Sequence, residues 1–164
     1  MSLAFSLSIP NSLPGLILRF NDGKLLSLSI TENQTKSGTL SILNNNTDSS
    51  AIENTIQQLD GYFSRKKSFR KLALEPVGTP FQQSVWTELS NIPIGETQTY
   101  GDIAKTLNSS ARAVGNACRK NPIQIIIPCH RVISAKGLGG YAGKTDGQQM
   151  NIKRWLLNHE GIQA

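Results

Sequence analysis

Cysteine and histidine are nearly absent. The chain of 164 residues has two of each, Cys118, Cys129, His130 and His159. Two cysteines cannot staple a disulfide scaffold, and without a Cys-x-x-Cys pair or a histidine cluster a zinc ion has no ligand set. No metal and no cofactor is therefore expected. Long apolar runs are missing as well, and the longest is far short of the ~20 residues that a membrane span needs. The first ten residues have no basic stretch and no clear cleavage pattern, so no secretory signal is expected. A reduced cytoplasmic setting, or a nuclear one in a eukaryote, suits free thiols. Acidic residues are the minority, 11 against 17 basic, for a net charge of +6. That balance favours an anionic partner. The excess is even, +3 up to Leu74 and +3 after it, so bulk charge does not locate a binding face.

What is present reads as α+β in two parts. Residues 1–74 are expected to form a small antiparallel sheet with a helix, a scaffold without chemistry. Residues 16–20, the turn Asn21-Asp22-Gly23 and residues 24–30 read as a hairpin in which Leu26, Leu28 and Ile30 alternate with Ser27 and Ser29. Residues 40–43 add a further strand and 44–50 a polar loop that ends in a helix cap. Ile52, Ile56, Leu59 and Phe63 then recur at helical spacing, with Gly61 ending or loosening the helix. Arg65-Lys66-Lys67 and Arg70-Lys71 form a basic cluster, read as a solvated face. Residues 72–78 read as a linker.

Residues 79–164 are expected to be mostly helical and winged-helix-like. Thr79 is an N-cap with Pro80 at the first helical position, and Phe81, Val85 and Leu89 stripe one face. Tyr100, Ile103, Ala104 and Leu107 mark a short helix, Asn108-Ser109-Ser110 a turn, and residues 111–120 a second helix. On that helix Ala111, Val114, Gly115 and Cys118 share an inner face, and Arg112, Asn116, Arg119 and Lys120 an outer one. The pattern fits a DNA-binding helix-turn-helix or an ordinary helical hairpin. Gly137-Leu138-Gly139-Gly140-Tyr141-Ala142-Gly143 lacks the lysine of a phosphate loop and would let its backbone approach a bound base. Ile152, Trp155, Leu156 and His159 stripe a last helix that Gly161 stops.

The chemistry concentrates between Asn121 and Ile133. Residues 125–127 read as a short buried strand or extended segment, and Pro128 ends regular pairing with Cys129 at the turn. Cys129 is either a small buried residue or a nucleophile, and His130 and Arg131 beside it favour the nucleophile, since neighbouring cations lower a thiol pKa. Successive side chains in extended chain point apart, so His130 would reach the sulfur through a bridging water. Glu160 in the last helical turn opposes the helix dipole, which calls for a buried partner such as His130. Cys118 reads as core.

Ile-Pro-Cys-His-Arg-Val at 127–132 closely resembles the active-site signature of the O6-alkylguanine-DNA alkyltransferases. The resemblance runs from about Thr79 to Gly161 and includes Phe81-Gln82-Gln83-Ser84-Val85-Trp86, Ala111-Arg112-Ala113-Val114-Gly115 and Trp155-Leu156-Leu157-Asn158-His159-Glu160. It implies that Cys129 accepts an alkyl group from O6 of guanine (or O4 of thymine) in duplex DNA, once per molecule, after the base is flipped out. It makes His130 the base acting through water, Glu160 the group that orients it, and Asn121 the brace of the signature turn. Tyr100 would sit near a DNA phosphate and assist base rotation, and Arg112 would fill the space left by the base. Ala113, Asn116, Arg119, Lys120 and Arg131 complete the implied DNA contacts, and Tyr141, Ala142, Gly143 and Gln124 the base pocket. A monomer would engage the minor groove, for which Ala111, Ala113, Gly115 and Ala117 keep the helix slim. Ala142 replaces a serine of several relatives, Lys144 a glycine, and Gln124 an apolar residue; residues 145–150 lengthen the stretch before the last helix. A non-catalytic module that binds alkylated bases and a Cys-His-Glu hydrolase are the alternatives.

Overall fold

The computed structural model describes residues 7, 9–11, 13–31, 39–65 and 69–164. Parts of the first ten residues, and Lys66 and Lys67 of the basic cluster, lie outside that set. The chain forms two compact units, Met1–Pro76 and Val77–Ala164.

In the first unit β1 (Gly15–Asn21), β2 (Lys24–Ile30) and β3 (Thr39–Asn45) make one sheet in the order β2-β1-β3. The hairpin forms as expected, because Asp22 (φ 45) and Gly23 (φ 78) both take the positive φ of a tight two-residue turn. Two expectations are corrected. The sheet is mixed: β3 runs parallel to β1, on the side away from β2. Alternation marks a strand but does not name its partner. Leu25, rather than Leu26, is buried with Leu28 and Ile30, because a bulge between Arg19 and Phe20 shifts the phase by one residue. Asp48 caps α1 (Ser49–Phe63), accepting from the N–H groups of Ser50 and Ala51. Gly61 lies inside that helix and does not end it. The supposed linker is partly structural, since Leu25 N–H donates to Ala73 and Glu75 N–H to the Leu25 carbonyl along the β2 edge.

The second unit opens with α2 (Pro80–Ser90), started by a reciprocal Thr79–Gln82 capping box. Gly78 is needed before it, because a Cβ there would fall 2.4 Å from the Trp86 ring. The helix pair is α3 (Tyr100–Thr106) and α4 (Ala111–Arg119), joined through Asn108 at φ 50. Trp86 Nε1 donates to the Ala117 carbonyl at 2.9 Å and ties α2 to α4. On α4 the buried residues are Val114, Ala117 and Cys118. Ala111 is exposed instead and Ala117 is buried, since the core meets a face turned towards Ala117 while still taking in Val114 and Cys118. The β structure that accompanies the helices is small: β4 (Gln98–Thr99) pairs in parallel with β5 (Val132–Ile133). Last comes α5 (Gly147–His159). It takes up part of the lengthened stretch before it, and Gly161 at φ 87 terminates it. Its buried face is Met150, Ile152, Lys153, Leu156 and Leu157 with Gln149, whereas Trp155 and His159 are half-buried and stack on each other at 4.8 Å. Among the described residues no helix is long and apolar enough to cross a membrane, and no cluster of acidic, histidine and cysteine side chains is placed to hold a metal.

Candidate active site

The segment before the cysteine is a braced turn, not a strand. Ile126 N–H donates to the Gln124 carbonyl at 2.8 Å and Ile127 N–H to Ile123 at 3.0 Å. Ile125, between them, has φ 71, a left-handed conformation that costs a β-branched residue about 1–3 kcal/mol. Two things offset it. Ile123, Ile125 and Ile127 are all buried, and Asn121 clamps the turn from inside. Its Nδ2 donates to the Ile127 carbonyl at 2.8 Å while its Oδ1 accepts from Ile123 N–H at 3.0 Å. β-Branched propensity predicted an extended run; the side-chain clamp outweighs it.

The same Asn121 Nδ2 lies 3.2 Å from Cys129 Sγ. Pro128 (φ −85, ψ 64) then turns the chain into one turn of 3-10 helix, Cys129–Arg131. That turn sends His130 and Arg131 to one carboxylate. His130 Nε2 is 2.7 Å from Glu160 Oε1, and the Arg131 guanidinium meets both Glu160 oxygens, at 2.8 and 2.9 Å. A third guanidinium nitrogen donates to the Ile92 carbonyl. The side chains of His130 and Glu160 are fully buried. The partner expected for Glu160 is therefore there, with Arg131 as a second. Arg131 was expected among the DNA contacts; buried and with its guanidinium spent on Glu160 and Ile92, it is not available for that.

Charge in this cluster sorts itself by burial. The Glu160 carboxyl resists ionisation through burial, but its bonds from His130 and Arg131 outweigh that and hold its pKa at about 2. Burial pushes His130 below its ordinary value, against the pull of Glu160. His130 is thus neutral at pH 7 and donates from Nε2, which leaves Nδ1 as the basic nitrogen. Nδ1 is buried and meets no hydrogen-bond partner among the described residues. Burial also pushes the Cys129 thiol up, opposed by the Asn121 hydrogen bond and by the positive charge of Lys153. The expected depression of the thiol by His130 and Arg131 is corrected: one is neutral and the other is spent on Glu160.

Cys129 opens into a cleft of about 460 Å³ between α4 and the glycine-rich loop. Tyr100, Arg112, Asn116, Arg119, Tyr141, Ala142 and Gly143 line it, together with Cys118 and Lys144. No carboxylate is among its lining residues. The glycine loop turns tightly through Ala142 (φ 48) and Gly143 (φ 79), closed by paired bonds between Tyr141 and Lys144. Gly143 is also where Arg119 crosses, since a Cβ there would sit 2.7 Å from Arg119 Nε. The Tyr100 hydroxyl donates to the Gly140 carbonyl at 3.2 Å, and burial pushes its pKa up.

Residues 80–162 match the DNA-binding domain model of 6-O-methylguanine DNA methyltransferase. The methylated-DNA–protein-cysteine methyltransferase of Methanosarcina acetivorans is 50% identical over 108 residues, 64% of this chain and 66% of that protein. The constitutive Bacillus subtilis protein of the same name is 46% identical over 109 residues, 65% of this chain and 64% of that one. A crystal structure of Mycobacterium tuberculosis OGT in complex with DNA superposes with a TM-score of 0.71 at 34% identity, covering 92% of this chain and 96% of that one. The chain belongs to the O6-methylguanine DNA methyltransferase family.

Most of the sequence-predicted site residues fall in three places. Cys129, Tyr100, Arg112, Asn116, Arg119 and Tyr141–Gly143 share the cleft. Asn121, His130 and Glu160 stand behind the sulfur. Ala113 and Lys120 line a second groove with Thr79, Phe81 and Gln82, which shares Asn116 and Arg119 with the cleft. Gln124 is half-buried in the braced turn and does not line the cleft. Two features escaped the sequence reading. Cys118 is core as expected, yet its buried thiol also forms part of the cleft wall. Lys153 is completely buried on α5. A cue existed for it: Lys153 stands three residues after Met150 and four before Leu157, on the apolar side of the helix.

Proposed function

We propose that this methyltransferase carries an alkyl group from O6 of guanine in duplex DNA to the Cys129 sulfur, once per molecule. The observation that carries the reading is the cleft itself. Its wall holds the only cysteine backed by a neutral, carboxylate-oriented imidazole and an amide donor, and the same wall bears exposed Arg112. The DNA complex of the tuberculosis relative supports DNA as the partner.

The Cys129 proton leaves to His130 Nδ1 through a bridging water, because His130 is bonded to Glu160 rather than to the sulfur. The thiolate attacks the alkyl carbon in line, a C–S bond forms as the C–O6 bond breaks, and guanine leaves taking back, through water, the proton that His130 had accepted. Asn121, bonded to the sulfur, favours its anionic form. A thioether does not reverse under these conditions, so turnover ends there. Reaching O6 requires extruding the base, which costs a few kcal/mol. Arg112 fills the space left behind and Tyr141 stacks on the base. The protein acts as a monomer with α4 in the minor groove, where exposed Ala111 and half-buried Ala113 and Gly115 keep the helix slim. Ala117 faces the core and has no part in that. Residues 79–164 carry this chemistry, and residues 1–74 act as scaffold. Free Cys118 and Cys129 suit a reduced compartment, the cytoplasm or a nucleus.

Incubation with duplex containing O6-methylguanine should add one methyl group, about 14 Da by formula, to Cys129 and to no other residue. Cys129→Ser should bind the duplex and gain no mass. Repeated turnover would instead favour a Cys-His-Glu hydrolase, and unaltered mass with tight binding a recognition module.

A further inference from the structure

The cleft beside Cys129 carries three cations, Arg112, Arg119 and Lys144, and no carboxylate lines it. Two of the three are brought together. Arg119, in the last turn of α4, crosses the glycine-rich wall at Gly143, the residue before Lys144. The crossing is built into the wall, because a Cβ at Gly143 would fall 2.7 Å from Arg119 Nε and 3.1 Å from its Cδ. Lys144 is placed as firmly. Its N–H donates to the Tyr141 carbonyl at 2.9 Å and its carbonyl accepts from Tyr141 N–H at 2.8 Å. The turn that sets Tyr141 therefore also sets where the lysine leaves the chain. Both cations are exposed, and among the described residues neither side chain has an ion pair or a hydrogen bond. Asp146, two residues on, neither lines the cleft nor pairs with them. Like charges brought together repel, and two cations held on one wall without an acidic neighbour make a place for an anion.

We propose that Lys144 and Arg119 together hold one backbone phosphate of the strand that carries the lesion, next to the base on which Tyr141 stacks. This rests on the cleft being where the flipped base enters. The strand follows from position. The pair sits on the wall that bears Tyr141, and a flipped base keeps its own phosphates within one nucleotide of it, whereas the complementary strand stays in the duplex. The third cation does not compete for that phosphate. Arg112 and Arg119 stand seven residues apart on α4, about 10 Å along a helix axis, so the first turn of α4 fills the gap in the stack while its last turn meets the backbone. Lys144, which the sequence marked only as a replacement for glycine, becomes the residue that fixes the lesion strand against the glycine-rich wall.

The test is affinity for a duplex bearing O6-methylguanine, measured in the Cys129→Ser background so that nothing is transferred. Lys144→Ala and Arg119→Ala should each weaken binding roughly threefold or more at about 0.1 M salt and lower the log–log salt slope by roughly one unit. Lys144→Arg should keep the slope of the parent. The deciding readout is a set of duplexes in which one phosphate at a time is made a neutral methylphosphonate. At one linkage beside the lesion, neutralisation should weaken binding by the parent roughly threefold or more and by Lys144→Ala less than about twofold, because the charge that met it is gone. At every other linkage the two proteins should lose alike. A merely structural role for Lys144 would lower affinity without selecting a linkage, so equal losses at all linkages overturn the proposal. An unchanged salt slope in Lys144→Ala overturns it too, as does coupling of Lys144 to a linkage of the complementary strand. Because binding alone is read, the outcome is separate from whether methyl transfer itself is observed.

Discussion

Glu160→Gln is the substitution that asks most of this structure. The carboxylate holds two donors from Arg131 and one from His130, and its side chain is fully buried. A glutamine oxygen can accept from one of these neighbours, but its NH2 then faces another donor. The guanidinium of Arg131, 5% exposed, would be left with the Ile92 carbonyl as its one remaining strong partner. Breaking a buried ion pair from one side costs about 3–5 kcal/mol. An independent route gives a similar size: a carboxyl held at about 2 instead of its ordinary 4.5 represents about 3 kcal/mol at ~1.4 kcal/mol per unit. Urea unfolding should show it as a midpoint lowered by at least about 1 M. Both tryptophans, Trp86 and Trp155, belong to the second unit, so their fluorescence reads the unit that contains the change. Methyl transfer should slow as well, because the imidazole loses the acceptor that fixes its tautomer. The double variant Glu160→Gln/Arg131→Met separates the two effects. Removing the stranded cation should recover much of the lost stability and none of the lost rate. A loss below about 1 kcal/mol in the single variant, or a rate that returns together with stability, would refute the reasoning.

Acid should weaken the second unit in two steps of the same sign. Burial holds His130 neutral, so stability present above its ordinary pKa of 6.5 is lost as pH falls below it. Glu160 contributes stability that is complete above 4.5 and lost as pH falls towards about 2; melting temperature against pH checks both, and a flat profile from 4.5 to 2.5 would count against the second. Arg112→Ala should slow transfer from duplex DNA far more than transfer from free O6-alkylguanine, which needs no extrusion. Equal slowing on both substrates would give Arg112 a role in the fold or the chemistry instead.

Local signals were legible in the sequence where the physics is local. The Thr79 cap with Pro80 after it, the Asp22-Gly23 turn and the Gly161 stop each depend on a few neighbouring residues, and each is found where its residues place it. The Cys129 signature was legible for a related reason, since a thiol, an imidazole and a prolyl turn are contiguous there. Glu160 was legible at a distance of 30 residues only because a carboxylate at a helix C-terminus is out of place unless something compensates it. Tertiary structure decided the rest. Which side of β1 receives β3 depends on sheet edges that no strand records by itself. Ile125 sits at positive φ because Asn121 clamps its turn and burial of three isoleucines offsets the strain, an exchange between residues that propensity treats separately. Arg131 looks like a surface cation in the sequence, yet the 3-10 turn points it inward at Glu160. Lys153 is the clearest case. A lysine in a helix is by default a solvated charge, and only the convergence of Val132, Leu138 and Gly140 on one point makes its burial tolerable.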